Sequence, residues 1–576
     1  MQYRILAVLI AASAAAQTPV PYPQAPDHET DVSGRTTGGA FADLDRDGWP
    51  DLVVANGNDM ARQRLAVYYN RGGGAFPVNP DWTSSDIDYH GHLDIGDVDG
   101  DGWPDVAVSV FLGPNRFGDP GRAKLYLNDG QGHLGATPAW TSGDRFFSFS
   151  CALGDVDGDG DLDLAVATGE SYSDPPDHDR LYLNRNGVLD SLPSWQAAPI
   201  NHSMDIEWCD VDGDGDLDLV TVGSTGPNHL YRNNGGVLGT SPVWSSIDGG
   251  TSHNGNSCAL GDIDGDGLPD LAVADNSQLG GRGTFRVYRN LGTVFTTTPW
   301  WESIRFHNGY TSAINLLDFD RDGDLDLVGG GWWTQTSWYR NNAGALPTSP
   351  SWETSGTSVV EALFFADLDG DGLRVVTGEQ HAVNGSRKLF RFAHPEVQSL
   401  QRIVADNVVL SPSQYAFHRE DGYVSLAAAP QTSLRFDYTW SEAFDLGATN
   451  WDSGIGNRLF LRFPLVSISV VPPARTSFRA GEVIQWSETI SSSAMNSQPA
   501  VYASDITFPG IPTPWPFVTG GAMVPPAFFV PGIPMQIPVP NPLPPVLLGN
   551  YVYRVRALGP GGIEMTSASF PIALIP

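Results

Sequence analysis

Cysteine is nearly absent from this 576-residue chain, lysine is scarce, and basic residues number 32 against 66 acidic ones, for a net charge of −34. Three cysteines exclude a disulfide-built scaffold. Cys151 and Cys258 hold the same place in a repeat, two units apart, and Cys209 lies three places further on. That stagger rules out a bond that needs Cα atoms within about 7 Å, so all three read as buried thiols serving as small apolar groups. The shortage of positive charge excludes nucleic acid and anionic membrane surfaces as partners. No segment beyond the N-terminus is apolar enough to span a bilayer. There is no Gly-x-Ser-x-Gly elbow, His-Glu-x-x-His, phosphate loop or Cys/His zinc spacing. What is abundant is glycine (65) and proline (44), the composition of an all-β chain with many turns.

Residues 1–16 read as a signal peptide. Arg4 supplies the positive start, Ile5 to Ile10 begin an apolar core, and Ala14 and Ala16 fit the small-residue rule for cleavage before Gln17. The mature chain is therefore expected outside the cell or in the periplasm, as a monomer.

One motif, Asp-x-Asp-x-Asp-Gly-x-x-Asp-apolar, recurs with a period near 55. It begins at Asp43, Asp97, Asp155, Asp210, Asp262, Asp318 and Asp367. An apolar run such as Ala40-Phe41-Ala42 precedes each copy, and a run such as Leu52-Val53-Val54 follows. About 25 residues on comes a second element, as in Val67-Tyr68-Tyr69-Asn70 or Leu125-Tyr126-Leu127-Asn128, and a Trp such as Trp82 or Trp140 ends the unit. Four strands per unit, seven times, predict a seven-bladed β-propeller over residues 17–396. The seventh unit, read through Lys388-Leu389-Phe390-Arg391, lacks its Trp element. Pro26-Asp27-His28 stands 15 residues before Asp43, as Pro80-Asp81-Trp82 stands 15 before Asp97. The N-terminal segment is thus expected to supply the missing outer strand and to remove two open sheet edges.

In the first loop Asp43, Asp45, Asp47 and Asp51 occupy positions 1, 3, 5 and 9, and Gly48 at position 6 permits the tight turn. Two like charges 4 Å apart repel by about 4 kcal/mol at an effective dielectric near 20. A hard dication reverses that cost, and calcium accepts six to eight oxygens in flexible geometry. The same ligand set recurs as Asp97, Asp99, Asp101 and Asp105; Asp155, Asp157, Asp159 and Asp163; and Asp210, Asp212, Asp214 and Asp218. Two more complete sets are Asp262, Asp264, Asp266 and Asp270, and Asp318, Asp320, Asp322 and Asp326. The seventh holds Asp367, Asp369 and Asp371, with Val375 where the fourth carboxylate belongs. Six full calcium sites and a weakened seventh are expected. An EF-hand is excluded, because position 12 falls on Val54 or Val108 inside a strand. Metal demand then accounts for 27 of the 66 acidic residues.

These loops resemble the FG-GAP and VCBS-type repeat family, whose propeller also forms integrin α-subunit heads. The resemblance covers residues 17–396. It implies calcium on one face and partners docking on the other, with an extracellular glycan or protein as ligand. The Gly-Ala-Pro tripeptide of the integrin-type repeat is missing, so an integrin-like partner does not follow.

The strand order puts the second-to-third connections opposite the Asp loops. They run from Val110 to Lys124 with Phe111, Asn115, Arg116 and Phe117, from Thr168 to Arg180 with Tyr172, and from Gly329 to Ser337 with Trp332 and Trp333. Such connections are the expected seat of binding. A rival reading makes the chain a propeller-type carbohydrate-active enzyme, a polysaccharide lyase or hydrolase. It would use His90 and His92, which sit two apart at the start of a strand, with Asp205, Glu207, His202 and His253 at the channel mouth. Beyond the repeat, residues 397–466 read as a β-rich module, in which Leu434, Phe436, Tyr438 and Trp440 alternate onto one face. Residues 467–576 read as a β-sandwich, with an immunoglobulin-like fold among those it admits. Within it, 13 prolines between Pro509 and Pro545 mark an extended insertion.

Overall fold

The computed structural model describes residues 22–462 apart from 170–174, 225, 248–253, 321 and 395–396, together with the strands of the C-terminal part between gaps at 463–465, 472, 474–476, 480–481, 493–497, 508–514, 525–528, 539–548, 559–563 and 576. The expected leader at 1–16, Tyr172 and His253 lie outside the described residues. The chain divides into two compact units, Tyr22–Arg462 and one that holds Phe463–Pro576. Among the described residues no helix is long and apolar enough to cross a membrane.

The described residues of Tyr22–Arg462 form antiparallel sheets, with a 3-10 turn at Pro412–Gln414. Sheet one runs Thr36–Ala42, Asp51–Gly57, Arg62–Tyr68, Trp82–Thr83 in spatial order. Five more follow the same plan, with first strands Tyr89–Gly96, Ser148–Gly154, Ser203–Cys209, Gly255–Gly261 and Thr311–Leu317. The apolar runs on either side of each Asp loop form its first and second strands. They pair in a constant register, the residue before the loop opposite its ninth: Ala42 with Asp51, Gly96 with Asp105, Gly261 with Asp270. The first strands lie side by side, each against the next. They approach closely; a Cβ on Gly38 would fall 2.6 Å from the His92 Cα. Tyr68, Tyr126, Tyr182, Tyr231, Tyr288 and Tyr339 of the third strands are buried between sheets.

The seventh sheet differs from the sequence reading. Its order is Leu363–Ala366, Asp445–Ala448, Arg458–Phe460, His28–Glu29. Ala366 pairs with Asp445, and His28 pairs with Leu459, in the place where Trp82 pairs with Val67. Leu363–Ala366 lies against both Thr311–Leu317 and Thr36–Ala42. Leu373 and Lys388–Arg391, read as seventh-unit strands, belong elsewhere, and the boundary at 396/397 falls inside another fold. Leu373–His381, Leu434–Ser441, Val397–Ala405 and Val408–Val409 form one sheet; Leu389–Arg391, Tyr423–Leu426 and Tyr415–His418 form a second. Phe390, Phe392, Ile403, Phe436 and Tyr438 make its core. The physical reason is the ladder's polar start. Asp445-Leu446-Gly447-Ala448 repeats the Asp-apolar pattern that opens every second strand, whereas Leu373 brings no carboxylate.

In the second unit, Val466–Val471, Val483–Ser492 and Phe529–Pro538 form one sheet. Ser477–Phe478, Glu564–Leu574, Gly549–Leu558, Gln498–Thr507 and Trp515–Val524 form the other, and Val466–Val471 lies against two of its strands. The proline-rich stretch is therefore not an excursion: it supplies Trp515–Val524 and Phe529–Pro538, each at the edge of its sheet. Proline lacks the N–H that an inner strand must donate, so an edge is where it is tolerated.

Candidate metal loops and the opposite face

Each Asp loop is pinned by bonds that the sequence motif dictates. The first Asp accepts from the N–H of the position-6 glycine, at 3.1 Å for Asp43–Gly48 and 2.8 Å for Asp97–Gly102 and Asp262–Gly267. The ninth turns one oxygen back to the N–H of position 2, as Asp51 does to Leu44 at 3.0 Å. Its other oxygen takes the N–H of the third-strand asparagine, Asn70, at 2.9 Å. That asparagine then donates its side-chain amide to the previous sheet's loop. Asn128 reaches the Leu44 carbonyl at 3.0 Å, Asn184 that of Val98 at 2.7 Å, and Asn341 that of Ile263 at 2.7 Å. Asn70 of sheet one reaches Leu368 of sheet seven at 2.9 Å. The Tyr-x-Asn element is thus the strap between neighbouring sheets, a role the sequence reading left unassigned.

The loops bring their carboxylates together. Ligand atoms of Asp43, Asp45 and Asp51, of Asp155, Asp157 and Asp163, and of Asp262, Asp264 and Asp270 each converge within 4.8 Å, as do those of Asp97, Asp99 and Asp101 and of Asp210, Asp212 and Asp214. Buried oxygens without a hydrogen-bond donor remain on Asp43, Asp97, Asp157, Asp210 and Asp320. Burial is the main cause that pushes Asp51 and Asp105 up to about 8, with neighbouring Asp charges adding to it. Hard oxygen donors, orphaned and mutually repelling, fit a calcium-like cation.

The seventh loop is not truncated at Val375, which is 75 % exposed. Asp445 takes the ninth position from 70 residues beyond Val375, past the inserted sheets. Its carboxylate accepts from Leu368 N–H at 2.7 Å and from Arg462 N–H at 2.6 Å, the two bonds that Asp51 makes. Arg462 stands in the asparagine's place and reaches the Phe319 carbonyl of sheet six at 3.1 Å. Burial beside Asp369 and Asp367 raises the Asp445 carboxyl well above its usual range. The signal was present in Asp445-Leu446 and Arg458-Leu459-Phe460, but at a spacing no other unit uses.

The inserted sheets cover loops of sheets two to four. Lys388 donates to the Gly158 carbonyl at 2.6 Å, and a Cβ on Gly160 would stand 2.8 Å from that of Ala427. Ala416 packs among Val98 and Leu162, and Leu389 and Tyr423 pack on Trp208. The turn after Tyr415–His418 enters the space between first strands. His418 Nε2 lies 3.2 Å from both Asp94 oxygens and its Nδ1 lies 3.1 Å from Asp421. Those two carboxylates outweigh burial and hold the imidazole well above its ordinary pKa. Arg419 reaches the Phe41 and Phe365 carbonyls at 2.9 and 3.4 Å.

His90 and His92 do not point the same way, because the ladder shifts register between His90 and Leu93. His90 is fully buried with Nδ1 2.5 Å from the Asn56 carbonyl, while His92 lies 3.8 Å from Asp205. Asp205 in turn accepts from Cys258 N–H at 2.8 Å. His202 meets the Gly169 carbonyl at 3.0 Å. Glu207 is held well above its usual pKa by burial, with Asp421, Asp205 and Asp94 adding to it. Cys151, Cys209 and Cys258 are buried and unpaired.

On the opposite face the connections are shorter than expected. The second strand of sheet six runs on to Thr334, so Gly329–Thr334 is strand rather than loop. Phe111 is buried with Tyr89, Leu112 and Phe147, whereas Phe117 is exposed.

Comparison with known proteins gives the repeat its family. FG-GAP-like repeats match residues 29–108, 110–166, 210–273 and 318–374. This chain is an FG-GAP repeat protein. The last match ends at Arg374, where the inserted sheets begin. Among solved structures, a chain in the crystal structure of BBS1N in complex with ARL6DN is 11% identical, with a TM-score of 0.37, covering 71% of this FG-GAP protein and 95% of that chain. Spo0M, a sporulation control protein from Bacillus subtilis, is 12% identical with a TM-score of 0.14, covering 20% and 51%. Likenesses at these scores carry no argument here.

Proposed function

We propose that Tyr22–Arg462 is a closed seven-bladed propeller, that calcium fills its Asp loops, and that the protein binds an extracellular ligand on the face opposite them. His28–Glu29 ends the seventh blade, and the Asn-to-loop strap returns from Asn70 to Leu368, which is what a closed ring requires. All seven sets of carboxylates would hold ions: 27 residues of the motif and Asp445. The ion supplies positive charge where the fold buries several negative ones, so its contribution is to stability. The C-terminal unit then reads as a two-sheet sandwich.

One observation carries the choice of face. The inserted sheets occupy loops of sheets two to four, and the His418–Asp421 turn fills the axis beside them. A partner approaching from that side meets an occupied surface, while the other connections stand free on a rigid scaffold. A glycan and matrix-protein array probed with the calcium-loaded protein should identify a ligand. Grafting short polar turns over Gly113–Asp119 and Trp333–Thr336 should abolish its binding and leave the melt nearly unchanged. Binding that survives both grafts would move the site to the C-terminal unit.

A further inference from the structure

Trp333 is placed as no packing residue needs to be. It lies in a β-bulge: Trp332 pairs with Val359 and Thr334 with Ser358, and the register shifts between them. Its φ is +56°, the left-handed region. At nearly the same point of the second strand, sheets one and three place Gly57 at φ +120° and Gly169 at φ +90°. Glycine adopts this backbone without cost, and a bulky side chain does not. Nor is the cost returned by burial. Trp333 is 52 % exposed, while its neighbour Trp332 is 3 % exposed. Bulges re-aim side chains, and strained non-glycine residues cluster at ligand sites.

The surroundings hold the indole rather than cover it. Its Nε1 donates to Asp452 Oδ2 at 3.2 Å. Its ring meets Tyr310 at 6.2 Å and Trp332 at 6.3 Å, both edge-on. Trp332 is itself fixed, stacked on Trp451 at 5.9 Å and 15° and donating to the buried Glu361. Three aromatic rings from three chain segments therefore support one exposed ring.

We infer that Trp333 is the stacking platform for a neutral pyranose ring, an assignment that rests on reading this face as the ligand face. The charges select among occupants. A net charge of −34 repels anionic polymers. A cation would want a free carboxylate beside the ring, but Asp452 spends its oxygens on Trp333 Nε1 and on Ser453 N–H at 2.7 Å. An apolar protein anchor would want an apolar surround that excludes water. Along these connections the accessible polar neighbours of Trp333 and Asp452 are Gln335 and Ser453 instead. An uncharged sugar offers a C–H face to the indole and hydroxyls to those polar side chains.

The test uses the calcium-loaded full chain and four uncharged probes: cellohexaose, laminarihexaose, mannohexaose and chitohexaose. Titration calorimetry should show one of them binding to the wild type. Trp333→Gly suits the backbone, so its melt should stay within a few degrees of wild type while binding weakens at least tenfold. Trp333→Phe should keep part of the affinity. Sugar binding that is unchanged in Trp333→Gly overturns the platform, as does failure of all four probes, or binding of polylysine or heparin that is lost in Trp333→Gly. A protein ligand that is lost on grafting the connections but kept by Trp333→Gly leaves the face in place and removes the platform.

Discussion

Two runs of sheets, an arc of sheets one to three and an arc of sheets four to six, carry the same Asp motif and differ consistently at one position, between the third-strand tyrosine and its asparagine. Between the tyrosine and the asparagine, sheets one to three have Tyr69, Leu127 and Leu183; sheets four to six have Arg232, Arg289 and Arg340. Each arginine turns into its own loop. Arg232 lies 2.8 Å from Asp212 and also pairs with Asp218; Arg289 pairs with Asp264 and lies 3.3 Å from Asp266; Arg340 pairs with Asp320 and lies 3.2 Å from Asp322. Among the described ion pairs, none reaches the loop carboxylates of sheets one to three. Burial sets the ninth carboxylates. It pushes Asp51, Asp105 and Asp326 up to about 8 and Asp270 to about 6, while Asp218, where Arg232 opposes the rise, reaches about 7. The difference teaches that sheets four to six set an internal cation against their loop carboxylates, while among the described ion pairs sheets one to three have none.

Chelation should have the largest effect. An ion at about 100 times its dissociation constant adds about 2.7 kcal/mol per site, so EDTA should lower the melting temperature by ten degrees or more. The loss should be uneven, with amide exchange rising first in residues 43–51, 97–105 and 155–163. An unchanged melt would end the calcium reading. Equal exchange in both arcs would end the contrast between them.

Single ligands come next. Asp105→Asn should cost about 2–4 kcal/mol in calcium, since it leaves a buried cluster short of its cation. Asp270→Asn should cost about half as much, because Arg289 stays on Asp264 and Asp266. Asp445→Asn should behave like Asp105→Asn, for the seventh loop has Leu461 where the arginines stand. Counting bound calcium by mass spectrometry or equilibrium dialysis checks this: Asp445→Asn should bind one ion fewer than wild type. An unchanged count would leave Asp445 a structural carboxylate and no more.

The six contiguous loops were legible because the motif is local. Asp-x-Asp-x-Asp-Gly fixes its own turn, and the strand after it follows within four residues. The seventh was not, because its ninth ligand and last two strands lie beyond a second small fold. Sequence periodicity has no means of stepping over such an insertion, and Val375 looked like a lost carboxylate for that reason. His28 could be placed, since its distance to Asp43 repeats that of Trp82 to Asp97. Trp333 was visible as an aromatic on a connection, but its backbone strain and its exposure are properties of the bulge and have no local signature. The arginines were visible as letters; that they turn into the loops depends on how the third strand passes the ninth carboxylate.

A pH scan shows whether the contrast is confined to the loops. Glu361 is 1 % exposed and is raised to about 8, chiefly by burial. The fold therefore favours its neutral form, while the unfolded chain ionises above its ordinary value of 4.5. Its contribution is complete below about pH 4.5 and is lost as pH rises toward 8. In saturating calcium the loop carboxylates stay ionised throughout. The melting temperature should then fall by several degrees from pH 5 to pH 8, with Glu207 and His418, both also raised, contributing in the same sense, and Glu361→Gln should remove part of that fall. A fall left whole in Glu361→Gln would clear Glu361 as a source.

The smallest effect is the sharpest, because it exchanges the one residue that separates the arcs. Leu127→Arg should bring a guanidinium toward Asp99 and Asp101, as Arg289 approaches Asp264 and Asp266. Half-exposed pairs of this kind are worth about 1 kcal/mol or less, so calcium at the second loop should weaken about fivefold. Arg289→Leu should do the reverse: tighter calcium at the fifth loop, and a larger loss of melt on chelation. Position seven supplies the readout. It is Trp49 in the first loop and Trp103 in the second, against Leu268 in the fifth and Asp324 in the sixth. Terbium replacing calcium takes its excitation from an adjacent indole; Trp49 also lies against Gly370 of the seventh loop and Trp103 against Arg46 of the first, so sensitised emission reports chiefly the first, second and seventh loops. Leu127→Arg should shift the Trp103 part of that titration to higher terbium and leave the Trp49 part in place, while Arg289→Leu should leave the emission curve alone and change only the total ion affinity. If Leu127→Arg leaves the terbium curve where it was, the guanidinium does not compete with the ion, and the arginines of sheets four to six are ordinary surface partners of their loops.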